Sequence, residues 1–192
     1  MKTLIILDHP SYDLSVVNRR WVDEVRKYPD DFALHNLQSS YPRSSIDAAN
    51  EHSLIDNAAA VVLQFPIFWY NCPPMMKAWI DTVFSPGWAY AGGRHLEGKP
   101  MALAVTCGGA QADYTPDGAN AHTIEEFLCP FVQAVKRVHA DFKGIYTFYG
   151  AHPADGSKPN VTELAASARN YVDFLHSLTG KAPAAVSEQL QK

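Results

Sequence analysis

The sequence predicts a single α/β domain in which a parallel β-sheet carries helices on both faces, the doubly wound class. The chain has 192 residues, which is within the usual size of one domain. Short apolar runs alternate with segments whose apolar residues recur every three or four positions, which indicates strands and helices joined by right-handed crossovers. The strand segments are continuously apolar, as expected for a parallel sheet buried on both faces.

Five strands are predicted where continuous apolar runs occur, and Pro66 is expected to end the third. Their ranges are 3–7, 32–37, 59–65, 101–105 and 142–149. Five strands separated by helices favour the flavodoxin-like strand order 2-1-3-4-5. We expect residues 1–180 to form the domain and residues 181–192 to form a C-terminal tail.

Five helical segments are predicted, and some of them begin at recognisable start signals. Their ranges are 15–28, 46–57, 73–84, a segment from 123, and 161–178. Ser15 is expected to cap the first helix. Thr123 and Glu126 have the spacing of a capping box, and Pro130 either kinks that helix or begins another. The third helix carries an apolar stripe that predicts core packing or a dimer interface, formed by Met75, Met76, Trp79, Ile80, Val83 and Phe84.

Composition excludes several functional classes. With 16 Lys+Arg against 20 Asp+Glu the formal charge is −4, and no basic patch predicts nucleic-acid binding. The three cysteines form no CxxC pair and no histidines are spaced four apart on a predicted helix, so we expect neither disulfides nor a metal site. The first apolar run is too short for a signal peptide, and no apolar stretch approaches the ~20 residues of a membrane span. We therefore expect a cytoplasmic protein.

The loops after strands one, three and four are expected to converge on one site, because ligands of such sheets lie beyond the carboxyl ends of the strands. The first loop, residues 8–18, leads into a helix N-terminus, which favours a phosphate. His9, Ser15 and Asn18 can donate further hydrogen bonds there. An equally simple interpretation is that Ser15 only caps the helix and that His9 is a turn residue. No Walker or GxGxxG motif is present.

The second and third loops carry aromatic residues and glycines. Phe68, Trp69 and Tyr70 follow strand three, which favours a flat apolar cofactor or a dimer contact. Residues 88–90 are expected to add an aromatic lip to the same site. The third loop, residues 106–109, offers main-chain N–H groups beside glycines, and three nearby polar side chains could orient or protonate an acceptor, namely Tyr114, Asn120 and His122.

Together these loops resemble the NAD(P)H:quinone oxidoreductase family, the flavodoxin-like branch that includes DT-diaphorase and the ancillary oxidoreductases of bacterial potassium-efflux systems. The resemblance spans about residues 2–178. It rests on HPSYDLSVVN at 9–18, QFPIFWYNCPPMMKAWIDTVFSPGWAY at 64–90, GKPMALAVTCGGAQADYTPDG at 98–118 and TIEEFLCPF at 123–131.

The resemblance implies a set of site residues. Those implied for the flavin phosphate and ribityl chain are His9, Ser15, Val16, Val17 and Asn18. Those implied for the isoalloxazine ring are Ile67, Phe68, Trp69, Tyr70, Thr106, Cys107, Gly108 and Gly109. Tyr114 is implied to contact the acceptor and His122 to donate a proton. Cys107 stands where a second Thr is common, which predicts unchanged main-chain contacts and a site sensitive to oxidation.

The resemblance also implies an activity. NAD(P)H would reduce the flavin, leave, and be replaced by a quinone that receives two electrons, in a ping-pong cycle. FMN is the expected cofactor, with FAD left open, and a homodimer is the expected assembly. Two alternatives stand beside this function: a regulatory ancillary subunit of a potassium-efflux transporter, located at the inner face of the membrane, and a reductase of azo or nitro compounds.

Overall fold

Five parallel strands form one sheet in the order β2-β1-β3-β4-β5, which confirms the predicted flavodoxin-like arrangement. The computed structural model describes residues 1–43, 45–152, 156 and 158–181, so most of the predicted tail, residues 182–192, lies outside the described residues. The strands are β1 (Lys2–Leu7), β2 (Phe32–Asn36), β3 (Ala58–Pro66), β4 (Pro100–Thr106) and β5 (Asp141–Phe148).

The described residues also form seven α-helices. The sequence predicts six if Pro130 begins a helix of its own, so one helix was not predicted. They are α1 (Val16–Val25), α2 (Leu37–Ser40), α3 (Ala48–Asp56), α4 (Pro74–Val83), α5 (Ile124–Phe127), α6 (Cys129–Arg137) and α7 (Val161–Ser177). The unpredicted helix is α2, whose four residues are too few to show a periodicity. Pro130 lies in the first turn of the separate helix α6, where its missing N–H costs little.

The capping box at the start of α5 is confirmed. The Thr123 hydroxyl accepts the main-chain N–H of Glu126 at 3.2 Å, and the Glu126 carboxylate accepts the N–H of Thr123 at 2.7 Å. Two otherwise unsatisfied donors of the helix are thereby paired. The long loop between β4 and β5 consequently re-enters regular structure at a fixed point beside the carboxyl end of the sheet.

Helices cover both faces of the sheet. On one face α1 packs against α7, and the ring of Trp21 lies 4.7 Å from that of Tyr171 and 5.2 Å from that of Tyr146. The other face is covered by α3 to α6. Most of the apolar stripe on α4 is buried there, namely Met76, Trp79, Ile80, Val83 and Phe84. The stripe therefore forms the core of the subunit and lends no support to a dimer interface.

The expected aromatic lip at residues 88–90 is not beside the predicted site. Trp88 is buried and stacks between His52, with ring centroids 3.8 Å apart, and His95, at 5.2 Å. This segment follows the end of α4 and precedes β4, which places it at the amino ends of the strands. The predicted order of elements already placed residues 88–90 between a helix and the strand that follows it, so the expectation of a shared site was wrong.

No helix in the described part of the chain combines the length and the apolar character needed to span a bilayer.

Candidate functional site

A pocket lies at the carboxyl ends of the strands, where the loops after β1, β3 and β4 meet as predicted. Its lining residues are His9, Ser15, Val16, Val17, Pro66, Ile67, Phe68, Thr106, Cys107, Gly108, Ala151 and His152. The last two belong to the loop after β5, which the sequence-based prediction of the site did not include. The sequence there has no distinctive motif, but the fifth strand ends at the same edge of the sheet, so the topology could have revealed it.

Main-chain hydrogen bonds join these loops at their bases. The N–H of Ile67 donates to the carbonyl of Thr106 at 2.8 Å, and the N–H of Ala151 donates to the carbonyl of Cys107 at 2.9 Å. The first bond extends the pairing of β3 with β4 by one residue, and the second joins the loop after β5 to the loop after β4. The floor of the pocket is therefore tied to the ends of the strands.

The N-terminus of α1 forms the anion-binding end of the pocket. The Ser15 hydroxyl accepts the N–H of Asn18 at 3.2 Å, which confirms the predicted cap. Within the described residues, the N–H groups of Val16 and Val17 donate to no protein acceptor. Among the described lining residues none is acidic. Free N–H groups at the positive end of a helix favour an anionic group such as phosphate.

His9 supplies a neutral donor at this end. Its Nδ1 accepts the N–H of Ser11 at 3.1 Å, so the hydrogen-bond pattern assigns the proton of the neutral ring to Nε2. Burial, and secondly the charge of His152, lower the pKa of His9. At neutral pH the His9 ring therefore carries no charge and its Nε2–H can donate one hydrogen bond.

Asp8, the first residue after β1, fixes the start of α4 and therefore the end of the second loop. Its carboxylate accepts the side-chain N–H of Gln38 at 2.8 Å and the main-chain N–H of Met76 at 2.7 Å. The residue before α4 is Pro73, which provides no side-chain cap, so Asp8 caps α4 from another strand. Burial raises the pKa of Asp8, and the two donors oppose that effect.

A row of four buried side chains, here called the polar chain, lies beneath the pocket. The Tyr171 hydroxyl donates to Gln64 Oε1 at 2.9 Å, Gln64 Nε2 donates to Asn18 Oδ1 at 3.0 Å, and Asn18 Nδ2 donates to Thr106 Oγ1 at 3.1 Å. Because Thr106 accepts from Asn18, its own hydroxyl proton is available to the pocket. Asn18 itself lies under the lining residues, so its side chain supports the site from below.

The second loop turns sharply between Phe68 and Asn71, whose main chains exchange hydrogen bonds of 2.8 and 3.0 Å. Trp69 and Tyr70 at its centre have φ values of 49° and 64°, in the left-handed region. This conformation costs roughly 1–2 kcal/mol for each bulky residue, and such strain is concentrated at functional sites. Trp69 is 93% exposed, and neither of the two lines the enclosed pocket.

Several predicted residues gather around a ring that the sequence did not single out, Phe127 of α5. Tyr70 stacks on Phe127 at 4.8 Å between centroids, Tyr114 approaches it at 6.3 Å and His122 at 5.6 Å. The Tyr70 hydroxyl donates to Asn120 Oδ1 at 3.3 Å. The loops after β3 and β4 are thereby joined at the rim of the pocket. The sequence signals for Phe127 were its place in the capped helix and in the segment TIEEFLCPF that resembles the family, but neither indicated a role at the site.

Tyr114 folds over Gly109. A Cβ atom at Gly109 would lie 3.2 Å from Tyr114 Cε2 and 2.8 Å from an Asp113 carboxylate oxygen, so a larger residue there would have to displace these two side chains. A Cβ atom at Gly108 would meet no atom closer than 3.6 Å, so protein packing does not require glycine there. Burial raises the pKa of Tyr114 to about 12, which keeps its hydroxyl protonated and able to donate.

His122 lies outside the enclosed pocket. Its side chain is 59% exposed and its Nδ1 lies 3.5 Å from Glu126 Oε2. The structure therefore places it at the exposed rim beside Phe127, outside the pocket lining.

Cys107 lines the pocket as a protonated thiol. It is buried, its Sγ lies 3.6 Å from the carbonyl oxygen of Phe148, and burial raises its pKa to about 12. A thiol in this state is a poor nucleophile. Burial thus argues against the oxidation sensitivity that the resemblance suggested at this position.

The fold and the site define the class of this protein. A model of the Flavodoxin_2 family, described by its flavodoxin-like fold, matches residues 1–172. The chain belongs to this family.

Three similar proteins add detail. The crystal structure of general stress protein 14 of Treponema denticola in complex with FMN is similar to this chain, with 42% sequence identity and a TM-score of 0.85. The match covers 93% of this chain and 99% of that one. The uncharacterized NAD(P)H oxidoreductase YrkL of Bacillus subtilis is 37% identical over 91% of this chain and 98% of its own length. The ancillary protein KefG of the glutathione-regulated potassium-efflux system of Cronobacter sakazakii is 31% identical, with coverages of 91% and 92%.

The polar chain predicts a stability effect at a distance from the pocket. Tyr171→Phe leaves the buried Oε1 of Gln64 without its donor, so we expect the free energy of unfolding to fall by about 1–2 kcal/mol. Urea denaturation measures the change. Tyr28→Phe, at a partly buried tyrosine on the same face, is the control, and an equal loss in both variants would contradict the role of the polar chain.

The three cysteines should differ in reactivity. Cys107 and Cys72 are buried with pKa values raised to about 12 and about 11, whereas Cys129 is exposed. Iodoacetamide applied to the folded protein at pH 8 should therefore modify Cys129 first. Peptide mass mapping over time measures the order, and prior alkylation of Cys107 would show that the pocket thiol is more reactive than its burial implies.

Proposed function

We propose that this chain is an FMN-dependent oxidoreductase that takes electrons from NAD(P)H and passes two to a quinone or a similar acceptor. One observation carries the proposal: a helix N-terminus with free N–H groups opens into the same pocket as apolar and glycine residues at the carboxyl end of the sheet. An elongated ligand with an anionic end and a flat apolar end matches this arrangement.

The donor set of the pocket fits a flavin mononucleotide. The N–H groups of Val16 and Val17 and the Nε2–H of His9 suit the phosphate. The side chains of Ile67 and Phe68 provide an apolar wall for the ring system. Gly108, which no neighbouring protein atom requires to be glycine, leaves its main chain accessible to the ring edge.

The residues of the pocket have separate roles in this proposal. FMN, when bound, supplies the chemistry of accepting a hydride and releasing two electrons. Thr106, oriented by the polar chain, donates its hydroxyl proton towards the bound ring. The protonated hydroxyl of Tyr114 donates a hydrogen bond to an acceptor oxygen that gains negative charge. We propose His122 as the proton donor at the exposed side, where it exchanges protons readily with water.

FMN is favoured over FAD by the similarity to a protein solved with FMN. The NAD(P)H donor is supported by the oxidoreductase name of the Bacillus subtilis relative. The quinone acceptor rests on the sequence resemblance, and an azo or nitro compound would use the same pocket. We also propose that the protein is cytoplasmic and forms a homodimer, and the exposure of the aromatic residues Phe68 and Trp69 supports the homodimer.

A second candidate function is regulation of a potassium-efflux transporter. The observation that favours it is the similarity to KefG along nearly the whole chain. In that role the protein would dock at the inner face of the membrane. Copurification with a transporter, together with negligible NAD(P)H oxidation by FMN-loaded protein, would favour this alternative.

The proposed activity predicts ping-pong kinetics. Protein reconstituted with FMN should oxidise NADH or NADPH in the presence of a benzoquinone, faster than the same concentration of free FMN. Double-reciprocal plots at several quinone concentrations should give parallel lines, because both substrates use one pocket in turn. Oxidation no faster than with free FMN would contradict the function, and intersecting lines would contradict the shared pocket.

The role of Tyr114 can be separated from that of its neighbours. Tyr114→Phe removes the donor to the acceptor, so we expect kcat for quinone reduction to fall roughly tenfold. Tyr149→Phe, whose ring lies 5.7 Å from that of Tyr114, is the matched control.

His122→Gln should lower kcat if His122 supplies the proton. An unchanged kcat in any of the site variants would remove that residue from the proposed reaction.

A further inference from the structure

The polar chain beneath the pocket has a direction, because all its hydrogen bonds run the same way. Tyr171 donates to Gln64, which donates to Asn18. Asn18 in turn donates to Thr106, the member of the polar chain that lines the enclosed pocket. Because Thr106 accepts this last bond, its own hydroxyl proton stays available to the pocket.

The opposite direction is chemically possible at the members nearest the pocket. A primary amide has a donor on one side and an acceptor on the other, so Gln64 and Asn18 could each turn over and still bond to one another. The Thr106 hydroxyl would then donate to Asn18 and would offer the pocket only the lone pairs of its oxygen. The same side chains can therefore present a donor or an acceptor to a ligand, depending on the direction of the polar chain.

The Tyr171 hydroxyl distinguishes the two directions. Its side chain is fully buried against the rings of Trp21 and Tyr146. Burial raises the pKa of Tyr171 well above its ordinary value, so the hydroxyl keeps its proton. Within the described part of the chain, the proton is donated to Gln64 Oε1 and to no other acceptor. In the opposite direction Gln64 would donate to the phenol oxygen, and the phenol proton would be buried without an acceptor, which is unfavourable.

We propose that Tyr171 is a positioning residue for the redox ring: its hydroxyl fixes the direction of the polar chain and thereby makes Thr106 a hydrogen-bond donor, and not an acceptor, towards a bound flavin. This inference rests on the proposed flavin-binding function. It gives α7 an effect on the cofactor although Tyr171 does not line the pocket. A fixed donor stabilises the negative charge that a flavin gains on reduction. Tyr171 should therefore raise the reduction potential of bound FMN through three intervening side chains.

The first test measures the reduction potential of bound FMN in a double-mutant cycle. Thr106→Val removes the donor, so we expect the affinity for reduced FMN to fall about tenfold relative to that for oxidised FMN. For a two-electron couple this change lowers the potential by about 30 mV. Tyr171→Phe should lower the potential by a smaller amount, because both directions of the polar chain become accessible. The double variant should have the potential of Thr106→Val alone.

Two further variants control for fold and for the loss of a tyrosine hydroxyl. Thr106→Ser keeps the donor and should keep the wild-type potential. Tyr146→Phe should also keep it, because the Tyr146 hydroxyl donates to the main-chain oxygen of Ser167 at 2.7 Å and lies outside the polar chain. An unchanged potential in Tyr171→Phe would overturn the inference. An undiminished effect of Tyr171→Phe when Thr106 is already valine would overturn it as well.

The second test determines the direction of the polar chain without a cofactor. In ¹⁵N-labelled, flavin-free protein, nuclear Overhauser effects from the side-chain amide protons of Gln64 should be stronger to Asn18 than to the ring of Tyr171. The opposite order of intensities would show the reverse direction and overturn the inference. FMN binding with equal potentials in all variants would overturn this inference alone, whereas a wild-type protein that binds no FMN would overturn the proposed function with it.

Discussion

The polar chain fixes the pocket because its members are buried and need one another. Tyr171, Gln64, Asn18 and Thr106 come from α7, β3, α1 and β4, and each is at most 3% exposed. A buried polar group without a partner costs about 1–3 kcal/mol, so displacing any one of these elements leaves at least one group unsatisfied. The polar chain ends at Thr106, which lines the pocket and whose hydroxyl proton has no acceptor among the described residues. Core packing and the proposed ligand recognition therefore depend on the same hydrogen bonds.

The rim of the pocket differs from this floor in its backbone conformation and in its exposure to solvent. The floor is made of strand ends joined by main-chain hydrogen bonds, whereas the rim contains the left-handed turn that presents Trp69 to solvent. The strain of this turn is held by the contacts around Phe127, where Tyr70 stacks and donates to Asn120. In the proposed function the hydrogen-bonded base and its neutral donors would orient the cofactor, and the exposed aromatic rim would leave room for substrates to exchange.

The sequence was sufficient for the features that depend on local pattern. Continuous apolar runs predicted the strands, the capping signals at Ser15 and Thr123 predicted helix starts, and strand order predicted which loops converge. The missed features depend on contacts between distant residues. Asn18 meets Thr106 across 88 positions and Tyr171 meets Gln64 across 107, and no local pattern distinguishes a side chain that lines the pocket from one that supports it. His152 was missed because its loop carries no motif, although the predicted strand order already places the end of the fifth strand at the same edge of the sheet.

The central claim is that a flavin phosphate binds at the N-terminus of α1 while the ring lies along the loop after β4. Amide chemical shifts of ¹⁵N-labelled, flavin-free protein during titration with FMN test it most directly. We predict that the largest changes occur at Val16, Val17 and Gly108, and that they saturate at one FMN per subunit. Shifts confined to the groove between α6 and β5, or no saturable shifts in these three amides, would contradict the claim.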